Sequence, residues 1–138
     1  MSLSIELVSA SEEKIAGIEN APIRIAVAAS TLLQVANKNK KWATFFGQAS
    51  YLVPGEYLSV GGFVLADIKK GIEQGYFTAT PDLFQVNQLA SVFISGVQAL
   101  GKGDESIIDR TAENMLSILG MSRAEASAIV DKAQAFLR

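Results

Sequence analysis

A mainly α-helical fold, a bundle of five to six helices behind a short extended N-terminal arm, is what this sequence predicts. Three observations predict it. Apolar residues recur at intervals of three and four along most of the chain beyond Leu58, the period of one helix face. The breaks between those stretches carry helix-ending and helix-starting residues, with Gly75 and Gly120 after a stripe and Pro22 and Thr80-Pro81-Asp82 before one. Of 138 residues, 49% are apolar and 19% charged, enough apolar material for a core without a disulfide or a metal. Residues 1–138 read as one helical domain, with 1–10 as the arm.

The arm comes first. Leu3, Ile5 and Leu7 alternate with Ser4, Glu6 and Val8, a period-two pattern that suits an extended segment. Such a segment needs a partner, either the Tyr76–Thr80 stretch or a neighbouring subunit. Ser11 followed by Glu12 and Glu13 marks a helix start. Ala21-Pro22 opens the next helix, which runs through the Ala-, Leu- and Val-rich stretch 23–36 and should be deeply buried; the alternation of Ile23, Ile25 and Val27 makes strand a competitor for its first half. Asn37-Lys38-Asn39 suits its exit. Trp42 to Val53 reads as a short helix closed by Pro54-Gly55.

Leu58, Gly61, Leu65, Ile68 and Ile72 then predict a helix to about Glu73, weakened by Gly61-Gly62 and stopped by Gly75. Thr80 as N-cap and Pro81 at the first position start another. Its stripe, Leu83, Val86, Ala90, Phe93, Val97 and Leu100, holds helical spacing over more than four turns, and Phe84, Leu89 and Ile94 widen it. Beyond the loop at 101–104, helices follow over about Glu105–Leu119 and Arg123–Leu137. No repeat or low-complexity tract interrupts the chain.

Composition removes whole classes of function. With no Cys and no His, thiolate chemistry, disulfides, the commonest general base and the commonest transition-metal ligand are all absent. No Ser-x-x-Lys supplies an alternative base for a nucleophile. No cofactor is expected. The net charge of −2 provides no general basic field for nucleic acid or an anionic membrane. The N-terminus lacks the basic and apolar regions of a secretory signal. No uninterrupted apolar run reaches about 18 residues; the nearest, 42–66, is broken by Gln48, Pro54 and Glu56. A cytoplasmic protein is the expectation.

The sharpest local signal is Leu119-Gly120-Met121-Ser122-Arg123-Ala124-Glu125-Ala126. Gly120 suits the left-handed position after a helix, and Met121 can fold back on it. Ser122 and Glu125 have the spacing of a capping box. Together they predict a tight helix–turn–helix corner. The same residues resemble the helix-hairpin-helix DNA-binding motif: Gly120, Met121, Ala126 and Ile129 fit its pattern, while Ser122 stands where its second Gly belongs. They also resemble the turn of ubiquitin-associated domains in Leu119-Gly120-Met121 and Ala126, without the aromatic residue of that turn. The first resemblance implies nucleic-acid contact at Gly120, Ser122 and Arg123 through the corner at 119–129. Capping signals account for the same residues, and Arg123 and Lys132 are the basic residues beside the turn, few for a phosphate cradle.

Two other clusters invite chemistry. Asn37-Lys38-Asn39-Lys40-Lys41-Trp42 joins positive charge to a stacking ring, the parts used for single strands, in amounts that a solvated loop explains. Gly101-Lys102-Gly103 lacks Walker spacing, and the acids Asp104 and Glu105 that follow would repel phosphate.

The expectation is therefore a non-enzymatic structural, scaffold or adaptor subunit acting through self-association or protein contact, as in a component of a larger assembly such as a phage particle. So little charge on so apolar a chain points to a homo-oligomer. Its contact residues are expected at Leu3, Ile5 and Leu7 of the arm and at Ala90 and Gly96, small enough to admit a second helix. The alternatives are the nucleic-acid module at the corner and a carrier of an apolar ligand lined by Phe45, Phe46, Tyr51, Phe63 and Phe93.

Overall fold

The structure, a computed structural model, describes residues 13–39, 41, 54–101 and 103–137, with the side chains of 54–63 left aside. It is mainly helical, and no strand is present among the described residues. Five long helices follow a helical turn at 13–15: α1 (Ala21–Lys38), α2 (Pro54–Glu73), α3 (Leu83–Leu100), α4 (Ser106–Ile118) and α5 (Arg123–Leu137). The arm with Leu3, Ile5 and Leu7, the start at Ser11 and the expected helix at Trp42–Val53 lie outside the described residues.

α1 sits at the centre and packs against each of the other four helices. Ile25, Ala26, Val27, Ala29, Leu33 and Ala36 are all buried, on more than one side of the helix. Its first half is helix rather than strand because its start is secured locally. The Asn20 side chain accepts the Ile23 N–H at 2.9 Å, and Pro22 falls in the first turn, where its missing N–H costs nothing. Pro22 is the second helical residue, one later than the sequence suggests.

α2 begins at Pro54, so this proline opens a helix instead of closing one, and Gly61-Gly62 lies within it. It ends at a Schellman turn: Gly75 has φ +84°, and the N–H groups of Gly75 and Tyr76 donate to Ile72 and Gly71 carbonyls at 3.0 and 2.9 Å. Residues 77–80 then follow without regular secondary structure. Phe77 is buried against Gly71, where a Cβ would strike its ring.

α3 starts two residues later than Thr80-Pro81 implies. Asp82 is the N-cap, accepting the Gln85 N–H at 2.9 Å. A carboxylate caps as well as a hydroxyl and adds favourable charge at the positive end of the dipole, so the later residue takes the position. By length and composition α3 is long and apolar enough to cross a membrane, and 28% of it is buried within the protein. Gln85, Asn87, Gln88, Ser91, Ser95 and Gln98 interrupt its apolar residues.

The main core gathers Ile25, Ile68, Phe77, Leu89, Leu116 and Val130 among others, from all five helices and the 77–80 segment. A second cluster, Leu33, Ala36, Val97 and Leu100, joins α1 to α3, and Phe93 packs against both. Leu33, Leu89, Leu116 and Leu119 are essentially fully enclosed, each contributing roughly 1.5–3 kcal/mol by burial. Two polar ties hold the first turn to this core. Arg24 pairs through Nε with Asp67 of α2 at 3.0 Å, while its Nη1 donates to the Ile15 and Ile18 carbonyls at 3.2 Å each. Gln74, just past α2, accepts the Ala21 N–H at 3.0 Å and donates to the Glu19 carbonyl at 2.7 Å. One amide thus bridges two backbone groups at the start of α1.

Candidate functional site: the Gly120 corner and the α3 face

The α4–α5 corner is built from its own backbone. Gly120 has φ +113°, and its N–H donates to the Ser117 carbonyl at 3.0 Å while Met121 N–H reaches the Leu116 carbonyl at 3.2 Å. This is a Schellman turn with its usual apolar closure, since Met121 and Leu116 both lie in the main core. The capping box is reciprocal: Ser122 Oγ accepts the Glu125 N–H and a Glu125 carboxylate oxygen accepts the Ser122 N–H, both at 3.1 Å. Hydrogen bonding to the carboxylate by the Ser122 side chain and then by its backbone N–H holds the Glu125 carboxyl below its ordinary pKa of 4.5.

One contact was not legible in the sequence. Thr78 N–H donates to the Leu119 carbonyl at 3.0 Å, and a Cβ at Gly120 would collide with the Thr78 hydroxyl and backbone nitrogen. The corner is therefore clamped by Thr78 of the 77–80 segment.

A helix-hairpin-helix motif offers turn N–H groups to phosphate. Here those of Gly120, Met121 and Ser122 are already engaged within the corner, the last by a carboxylate. Ser122 and Arg123 are exposed. Asp104 lies just before α4, whose N-cap Glu105 makes no side-chain cap hydrogen bond. The Asp104 carboxylate accepts Ser106 N–H at 3.0 Å and Ser106 Oγ–H at 2.7 Å. Those two bonds, with Arg110 nearby, lower its pKa from the ordinary 3.8. The carboxylates of Asp104 and Glu105 at this helix start leave Gly101 and Gly103 beside negative charge, unsuited to phosphate.

The remaining acids of that region serve as links between elements. Glu105 accepts from Asn37 at 3.3 Å and Asp109 from Gln134 at 3.2 Å. Among the described residues no group of three or more acidic side chains is placed to hold a metal ion.

The residues singled out for self-association fall differently. Gly96 is buried, and a Cβ there would collide with Thr111 of α4. Its smallness serves a close α3–α4 contact inside the chain. Ala90 is half-buried. What α3 turns outward is another face: Phe84, Gln88, Ser91, Ser95 and Gln98 are exposed, with Leu83 beside them. Leu83 is 52% exposed and Phe84 60%, the two largest values among the large apolar side chains of the described residues. Of the aromatics proposed to line a carrier cavity, Phe93 packs in the core, and Phe45, Phe46, Tyr51 and the Phe63 side chain lie outside the described residues. So do Lys40 and Trp42 of the basic cluster, while Lys38 and Lys41 are exposed.

Comparison with protein-family models, with curated proteins and with solved structures returns no match.

Proposed function

We propose that this protein is a non-enzymatic structural or adaptor subunit that works by associating with further copies of itself or with a partner protein. One observation carries the reading: α3 has 18 residues and no charge, and it leaves Leu83 and Phe84 more than half exposed. Large apolar side chains in solvent at the head of an uncharged helix are what a protein contact covers. The composition supports it, since 19% charged residues leave much of the surface without ionic cover. The absence of His and Cys removes the residues on which most acid–base, nucleophilic and metal chemistry relies.

The engaged donors of the Gly120 corner, with Glu125 among them, weigh against the nucleic-acid alternative. The test is size-exclusion chromatography with light scattering over a wide concentration range. The expected result is a mass that is a multiple of 14.7 kDa. A monomer at all concentrations would remove self-association from the reading.

A further inference from the structure

We propose that residues 77–80 are a lid on the end of the bundle, seated at two points that open and close together without unfolding a helix. The first seat is on α2. The Phe77 ring is buried against Gly71, where a Cβ would strike it, and Phe77 N–H donates to the Gly71 carbonyl at 3.3 Å. The second seat is on the α4–α5 corner. Thr78 N–H donates to the Leu119 carbonyl at 3.0 Å, and Thr78 fills the space that a Cβ on Gly120 would need. Both seats are glycines, so the lid touches backbone at each point and no side chain stands between.

The two seats are coupled by the chain itself. The Thr78 N–H that reaches Leu119 and the Phe77 carbonyl belong to one planar peptide unit. Lifting the ring off Gly71 turns that unit and draws the Thr78 N–H from its acceptor, and the reverse movement frees the ring. The elements on either side are closed without the lid. α2 ends in its own Schellman turn, with Gly75 N–H and Tyr76 N–H bound to Ile72 and Gly71 carbonyls. Asp82 caps α3, and the α4–α5 corner has its own turn and capping box. Opening therefore sacrifices the contacts of 77–80 and leaves the helices formed, which is the character of a local opening. Thr78 and Thr80 already face solvent, while Phe77 is buried and Ala79 half-buried. What opening uncovers is the Phe77 ring and the part of the main core against which Phe77 and Ala79 pack. The lid is thus a conformational device distinct from self-association, and stands or falls independently of it.

Native-state hydrogen exchange of the full chain, followed by NMR at low urea concentrations, tests it. The Phe77 and Thr78 amides should show equal opening free energies. Their urea dependence should be smaller than that of the Leu33 and Leu116 amides, which lie within α1 and α4. Gly71→Ala places a methyl group under the Phe77 ring, away from the corner that Thr78 touches. It should lower the protection factors of both amides by the same factor, roughly tenfold. Phe77→Leu, which leaves α2 and the corner intact, should lower both together as well, and it serves if Gly71→Ala does not fold. A loss of protection at Phe77 with Thr78 unchanged would overturn the coupling. Exchange of both amides with the opening free energy and urea dependence of Leu33 and Leu116 would show that 77–80 opens only with the whole chain, and would overturn the lid.

Discussion

Gly120 meets two demands at once, a positive φ and a neighbour too close for a side chain. With φ +113° and Thr78 against the position of a Cβ, Gly120→Ala combines backbone strain with a clash and should cost more than 2 kcal/mol, on the order of a tight core overpacking. Urea unfolding checks this, and an unchanged midpoint would show that the clamp is not formed. Ser122→Ala removes one half of the capping box and should cost about 1 kcal/mol at neutral pH. The effect has a pH signature. Glu125 has its pKa lowered in the folded protein by Ser122, so its contribution is fully present above its ordinary value of 4.5 and is lost as pH falls through the lowered folded value. The difference in midpoint between wild type and Ser122→Ala should therefore shrink between neutral pH and pH values well below 4.5. Ser30 shows the opposite case. Its hydroxyl is fully buried in α1 with no hydrogen-bond partner among the described residues, so Ser30→Ala removes an unsatisfied group and should leave stability unchanged or raised. A loss of more than about 1 kcal/mol would mean that the hydroxyl has a partner.

At the scale of elements, what was legible in the sequence was whatever is encoded locally. The α4–α5 corner, with Gly120, Met121, Ser122 and Glu125 in their expected roles, follows from four residues that interact with one another. The stripes of α3, α4 and α5 were likewise visible, because burial on one side imposes a period. Start positions slipped where two cap-forming residues competed, as at Thr80 and Asp82. What periodicity could not supply was the partner of each contact. Gly96 was readable as a place for close approach but not as the seat of Thr111. Arg24 gave no sign that it would tie two carbonyls of the preceding turn to Asp67, 43 residues on. That tie yields a prediction. Arg24 is only 23% exposed and Asp67 15%, so removing one member leaves the other's charge partly buried. Arg24→Met should destabilise by about 2–3 kcal/mol, and Arg24→Met/Asp67→Leu by less than the sum of the two single changes. Strict additivity in denaturant titrations would show the pair to be uncoupled.

At the scale of the whole molecule, the distribution of charge sets how assembly responds to solvent. The chain carries 26 charged residues with a net charge of −2, yet α3 contains none of them. With no His or Cys, it also lacks the side chains that ordinarily titrate near neutrality. An interface made by α3 would be held by burial of Leu83 and Phe84, which ions do not screen. Contacts between the charged faces of α4 or α5 would behave otherwise, because exposed ion pairs weaken as the screening length falls from roughly 14 Å to about 4 Å between about 50 mM and about 500 mM salt. Self-association through α3 should therefore hold or strengthen slightly across that range of NaCl, and should not vary between pH 6 and 9 beyond about twofold in dissociation constant. Sedimentation velocity over a concentration series at both salt levels measures this directly. Dissociation that rises tenfold or more with salt would place the contact on a charged face, and α3 would then be left to another partner.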